Sequence, residues 1–385
     1  MNITINNYPM ASQITGVQLY QPKIAGYNTK PASLACDTFE YNSTSPVFAG
    51  KKINKKESKK IEETLKNIDG LHDPYSDVIM ISQKKFKHFQ NKAYKRSNAE
   101  SMNNLMNGYT EHMFPSEQAV FELLKDATRK AKKEGRANNL TYTDILQENL
   151  PDAKTRLIND QFNVTVSIRE YSRTHLSKND QKCVEKYLDI IDDEICDDEF
   201  RIKPSIKLLA NLYDEIDNKS AVDNIIKLSH NFPNTATHPD AFIVKYADKS
   251  HEEIAELLIS PAQISIEHIK PSSEHGESKG SNYLAASRRM NNYRSSTPLD
   301  EMIERYPDIP RQTQRYMDDL IAKINRGGLA DIGMTLADVK ESLYKESKGR
   351  IDVDLSKMNP EITQKAESFK SKVGKLIAHF KSKDD

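Results

Sequence analysis

The stretch QISIEHIKPSSEHGESKGSNYLAASRRMNNYR, residues 263–294, decides how the chain is read. Ile264 and Ile266 alternate with Gln263 and Ser265, the period-two pattern of a half-buried strand. A regular strand sends Glu267 and His268 to opposite faces. The next apolar residue, Ile269, is out of phase, so a bend at the Glu-His pair is expected, aiming both side chains toward one site. Pro271 ends ladder pairing soon after. Residues 272–281 are small, polar and glycine-containing, which predicts a returning loop. NYLAA (282–286) predicts a second short strand, and SRRMNNYR (287–294) a helix with Arg288 and Asn291 three apart on one face.

Outward from this unit the pattern is helical. Pro115-Ser116-Glu117 opens a helix with Val120, Leu123, Leu124, Ala127 and Ala131 at helical spacing, lysines late and Gly135 past its end. DQKCVEKYLDIIDDEI (180–195) and KPSIKLLANLYDEID (203–217) each carry one apolar face and predict further helices. Ser250 and Glu253 form a capping box. After the stretch, TPLDEMIERYP, RQTQRYMDDLIAKINRGG and TLADVKESLYKESKG predict three more helices, the last with Thr335 as N-cap and Gly349 at its exit. PEITQKAESFKSKVGKLIAHFKSKDD (360–385) predicts a short amphipathic helix. The expected fold class is mainly α-helical with a small embedded ββα unit, α+β overall. The expected organisation is a disordered arm over 1–50, a helical domain over 51–235, the ββα core over 236–300 and C-terminal helices over 301–385.

The 385 residues carry 56 basic and 56 acidic side chains, so no global field selects a polyanion or an anionic membrane. Lysines nonetheless crowd 51–60, 84–96 and 125–136, and acids crowd 189–200. These read first as solvated helix faces, with a phosphate-tracking surface as the sharper alternative. Cys36, Cys183 and Cys196 lie far apart and make neither a disulfide framework nor a zinc ribbon. No apolar run approaches the ~20 residues that cross a bilayer. The N-terminus lacks the basic start and apolar core of a secretory signal. A soluble, cytoplasmic protein with no membrane partner is therefore expected.

The chemistry-bearing groups gather in one place. A carboxylate and an amide oxygen, as in Glu267 and Asn291, are hard donors suited to Mg²⁺. An imidazole such as His268, titrating near neutrality, can take a proton from water. Arginines, here Arg288, Arg289 and Arg294, are the preferred bidentate partners of phosphate. Together they point to metal-assisted hydrolysis of a phosphodiester.

At these residues the stretch resembles the HNH endonuclease family, whose core is the ββα-metal fold. The resemblance rests on EHIKP at 267–271, Gly276 and Gly280 in the loop, Asn282 opening NYLAAS, and Asn291 in RRMNNYRS. The separations, 14 residues from His268 to Asn282 and nine from Asn282 to Asn291, are those of compact HNH motifs. It covers residues 262–297, under a tenth of the chain. The resemblance implies His268 as general base and Glu267 as the acidic metal ligand. It implies Asn282 as the residue bracing the hairpin and orienting the histidine, and Asn291 as the last ligand. It further implies a divalent cation, Mg²⁺ with Mn²⁺ or Zn²⁺ as alternatives, and nucleic acid as partner, DNA before RNA. Two features depart from the family: Glu267 is one methylene longer than the Asp of many members, and the flanking zinc cysteines are absent. Two alternatives stay open: an inactive nucleic-acid- or protein-binding helical protein retaining the fold, and a nuclease toxin or effector.

Overall fold

The computed structural model describes residues 55–196, 202, 204–327 and 329–361. The arm expected over 1–50, Cys36 and nearly all of the tail from Pro360 lie outside them. Fourteen α-helices and one two-stranded antiparallel sheet are found among the described residues. The chain is thus mainly helical with a small sheet, as the sequence patterning leads one to expect. No described helix is long and apolar enough to cross a membrane.

Three apolar cores organise these elements, and they do not follow chain order. The first joins α2 (Gln83–Ala93), α3 (Ala99–Met106), α4 (Pro115–Lys133), the front of α5 (Tyr142–His175), α9 (Pro239–Tyr246) and α10 (His251–Ile259). The second joins α1 (Lys55–Leu65), the irregular segment 68–80, the strands β1 (Ile264–His268) and β2 (Tyr283–Ser287), and the helices α12 (Leu299–Arg305), α13 (Ile309–Asn325) and α14 (Ala330–Glu346). The third is built on the rear of α5 with α6 (Lys178–Cys196), α7 (Leu212–Glu215) and α8 (Lys219–Ser229). The helix α11 (Arg288–Arg294) follows β2 directly, and its Met290 packs against both the first and the second core. The ββα unit therefore sits where two cores meet.

Local chemistry explains most boundaries. Thr141 and Asp144 form a reciprocal capping box on α5, as Ser250 and Glu253 do on α10. Pro115 occupies the first turn of α4, where its missing N–H costs nothing. Two expectations are corrected. Residues 203–217 do not form one helix: a 3-10 turn over Ile206–Asn211 precedes the four-residue α7. Leu209 and Leu212, three apart, are both buried, and a 3-10 turn places i and i+3 on one face. Thr335 is not an N-cap but an interior residue of α14, its hydroxyl donating to Ile332 O at 3.0 Å. Ile332 joins Leu336, Val339 and Leu343 in one buried face, so packing carries the helix upstream of the polar residue.

Candidate functional site

The site is a hairpin closed by a clamped loop and flanked by α11. β1 pairs with β2 in regular antiparallel register from Ile264↔Ser287 to His268↔Tyr283. That regularity corrects the expected bend. Pairing continues through the Glu-His pair, so Glu267 lies on the face with Ser265, and His268 on the face with Ile266. The out-of-phase Ile269 is explained by where it lies: it has left the strand and is fully buried in the second core.

The loop between the strands is held from inside by Asn282. Its Oδ1 accepts from Lys270 N at 2.8 Å, and its Nδ2 donates to Lys270 O at 3.1 Å and Glu277 O at 3.0 Å. One buried amide thus ties the exit of β1 to the entry of β2. The same turn presses Gly276 onto the chain: a Cβ there would lie 1.9 Å from Lys270 O. His275 beside it adopts a left-handed conformation at φ 64.

On the α11 side, Glu267 and Arg294 form a buried ion pair. Arg294 also donates to His268 O at 2.7 Å, Ile269 O at 2.7 Å and Thr297 O at 3.1 Å. It is 0% exposed, so it bolts the end of α11 to the end of β1 instead of meeting solvent. Burial, partly offset by Arg294 and reinforced by Asp73, pushes the Glu267 carboxyl up to about 7. Arg289 is likewise committed, paired to buried Glu117 at 2.9 Å and lying 4.4 Å over the ring of Phe114. Only Arg288 of the three arginines is exposed. Asn291 donates through Nδ2 to Ser265 Oγ at 2.9 Å and Ile266 O at 3.1 Å.

Sequence reasoning missed the supports of this arrangement. Asp73, fully buried, accepts from Ser287 N at 2.7 Å and from Tyr75 N at 2.7 Å, fixing the start of α11. Its segment also lies along β1: Ile81 O accepts from Ile264 N at 3.0 Å, and Ile81 bridges Gln263. The only signal was composition, the apolar run VIMI before a capping serine, and it does not name a partner.

His268, half-buried, stands edge-on to Tyr283 with ring centres 5.1 Å apart. Burial lowers its pKa, which leaves the imidazole neutral at pH 7. Its Nε2 is buried and has no hydrogen-bond partner among the described residues. The regular pairing does not bring the acid and the imidazole to one site: the oxygen donors a divalent cation would use lie on the strand face opposite His268. Glu267 Oε2 and Asn291 Oδ1 are hard oxygen donors on the α11 side of β1, and neither takes a hydrogen bond from a described residue. Arg294 is the counter-charge now facing Glu267. No group of three or more His, Cys, Asp or Glu able to hold a metal ion is found among the described residues.

Comparison of the chain with protein-family models, with curated proteins and with solved structures finds no match. The functional reading therefore rests on the residues themselves.

Proposed function

We propose that the chain is an HNH-type, metal-dependent endonuclease that hydrolyses phosphodiester bonds in DNA, with His268 as general base. The observation that carries the reading is the imidazole: neutral at pH 7, unpartnered at Nε2, and set at the end of a hairpin whose loop Asn282 clamps. A neutral ring whose Nε2 has no partner among the described residues can take a proton from a water molecule as its oxygen attacks phosphorus and the ester P–O bond breaks. Because Nε2 is enclosed in the structure, this step requires the hairpin end to open to that water. Glu267 and Asn291, on the strand face opposite His268, would hold the cation, which would supply neutralisation of charge developing on a phosphate lying across the strand end. Arg288 is the exposed guanidinium for a backbone phosphate. Arg289 and Arg294 act through Glu117 and Glu267, keeping α11 and the strand end in place.

The test is nicking of supercoiled plasmid with Mg²⁺ or Mn²⁺ by the full chain, beside His268→Ala and a chelator control. Removal of a general base is expected to cost about 10²–10⁴-fold in rate, with the variant still folded. A folded wild type that leaves duplex, single-stranded DNA and RNA intact overturns the reading. One observation favours a second: Arg294 already neutralises Glu267, as in a non-catalytic protein that keeps the hairpin and binds nucleic acid. An inactive wild type that still binds DNA selects it.

A further inference from the structure

The exposed face of α2 carries cations that the fold leaves uncompensated. From Ser82 to Ala99 the chain has no carboxylate, and it holds Lys84, Lys85, Lys87, Lys92, Lys95 and Arg96. Phe86, Phe89 and Ala93 turn into the first core, while Lys84, Lys87, His88, Lys92 and Lys95 face solvent. Of these lysines Lys85 has a partner, His112 Nε2 at 2.9 Å, with Glu111 at 3.6 Å. Lys84, Lys87, Lys92 and Lys95 pair with no acidic group among the described residues. The basic run on α4 is largely compensated: Lys125 meets Glu122 at 2.7 Å, Lys132 meets Glu100 at 2.5 Å and Arg129 meets Asp126, with Lys130 and Lys133 left without an acidic partner among the described residues. In a chain of zero formal charge, α2 is thus a local positive face rather than part of a general excess.

Its placement gives that face a purpose. Ser82 caps α2, and the residue before it, Ile81, bridges Gln263 and accepts from the first residue of β1. Gln263 O in turn accepts from Arg288 N, at the start of α11, at 2.8 Å. The helix therefore springs from the point where the strand and helix of the candidate site both begin. At 1.5 Å rise per residue, Lys84 to Lys92 spans about 12 Å of α2, and Lys95 sits in the turn just past its C-cap Tyr94.

We propose that the exposed face of α2 is a docking surface for double-stranded DNA, holding the duplex by its phosphates beside the hairpin. The placement beside a cutting site rests on the nuclease reading; the binding itself does not. Charge complementarity selects a polyanion. An anionic membrane fits poorly, because the phenylalanines of α2 are buried and offer no apolar wedge. Single strands are usually held by successive stacking aromatics, and α2 presents one exposed aromatic, Tyr94 at its C-cap, 66% exposed. Three exposed lysines on one helix and a fourth just past its end suit the closely spaced phosphates of a duplex.

The experiment measures binding of a short labelled duplex by full-length His268→Ala protein without divalent cation, across about 0.05–0.2 M salt. The variant joins Lys84→Gln, Lys87→Gln, Lys92→Gln and Lys95→Gln; the companion places Arg at the same four positions. Neutralising the face is expected to weaken binding at least about 10-fold and to flatten the log–log salt slope by up to about 3–4, with Arg restoring both. Unchanged affinity and slope, or no duplex binding by the parent, overturns the proposal. So does a dependence on these lysines for vesicles containing phosphatidylserine but not for duplex. Failure of the nuclease reading is separable: a parent that binds through these lysines while the wild type never nicks plasmid keeps the surface and loses the enzyme. A wild type that nicks, with the neutralised face binding as before, does the reverse.

Discussion

Arg294 is the residue on which the site's charge balance turns. Its guanidinium, itself fully buried, answers Glu267 and three strand or loop carbonyls. A buried pair contributes little net stability while intact, but removal of one partner strands the other. We expect Arg294→Met to cost about 3–5 kcal/mol at pH 8, measured by urea unfolding. The cost has a pH signature. Glu267 is held up to about 7, against 4.5 for the free group, so the folded chain binds a proton that the unfolded chain has released. That contribution is complete below about 4.5 and is lost as pH rises toward 7. Arg294→Met should therefore hurt less at pH 5, where the carboxyl is neutral, than at pH 8. Adding Glu267→Gln should restore stability at pH 8 and flatten the slope, leaving a remnant from Asp73, whose carboxyl burial also raises. A cost that does not change with pH would show that Glu267 does not titrate in this way. The sequence placed Glu267, Asn291 and Arg294 in one short unit. It did not reveal that Arg289 and Ser287 are held by Glu117 and Asp73, 172 and 214 positions away, because side chains that distant leave no periodicity to read.

Among the elements, the hairpin loop is the most constrained, and one atom explains why. A methyl group on Gly276 would meet Lys270 O at 1.9 Å and Pro271 O at 2.8 Å, both backbone, so neither can swing aside. Gly276→Ala must open the turn, breaking the bond from Gly276 N to Pro271 O and loosening the Asn282 clamp. We expect a loss of about 1–3 kcal/mol, with faster hydrogen exchange at the amides of β1 and β2. Gly108→Ala, where an added Cβ meets nothing within 4 Å, should leave both unchanged. Equal behaviour of the two variants would remove the steric argument. Strand, loop, strand and helix were legible here because alternation and glycine placement are local signals, whereas Ser287, read as the first helical residue, is the last of β2 and the N-cap of α11. The expected bend at Glu267-His268 came from reading Ile269 as part of the strand; tertiary burial, not strand phase, accounts for it.

At the scale of the molecule, α5 decides what can fail separately. Its 34 residues run about 50 Å, with Ile145, Leu146 and Ala153 in the first core and Val164 and Ile168 in the third. The third core shares no buried residue with the second, which holds the hairpin. Truncation of a buried leucine costs about 2–5 kcal/mol, and the question is where that cost is felt. Leu188→Ala, in α6, should lower protection of α6 and α8 amides while β1 and β2 exchange as in the wild type. Leu320→Ala, in α13, should expose the hairpin amides and leave α6 protected. Hydrogen exchange by mass spectrometry on the two variants reads both regions at once. If Leu188→Ala loosens the hairpin as much as it loosens α6, α5 transmits unfolding along its length and the described residues form one cooperative unit. If the effects stay apart, the third core is a separately unfolding body carried on the rear of α5. The candidate site would then depend on the second core and on the strap from Leu71 to Ile81 that crosses to it.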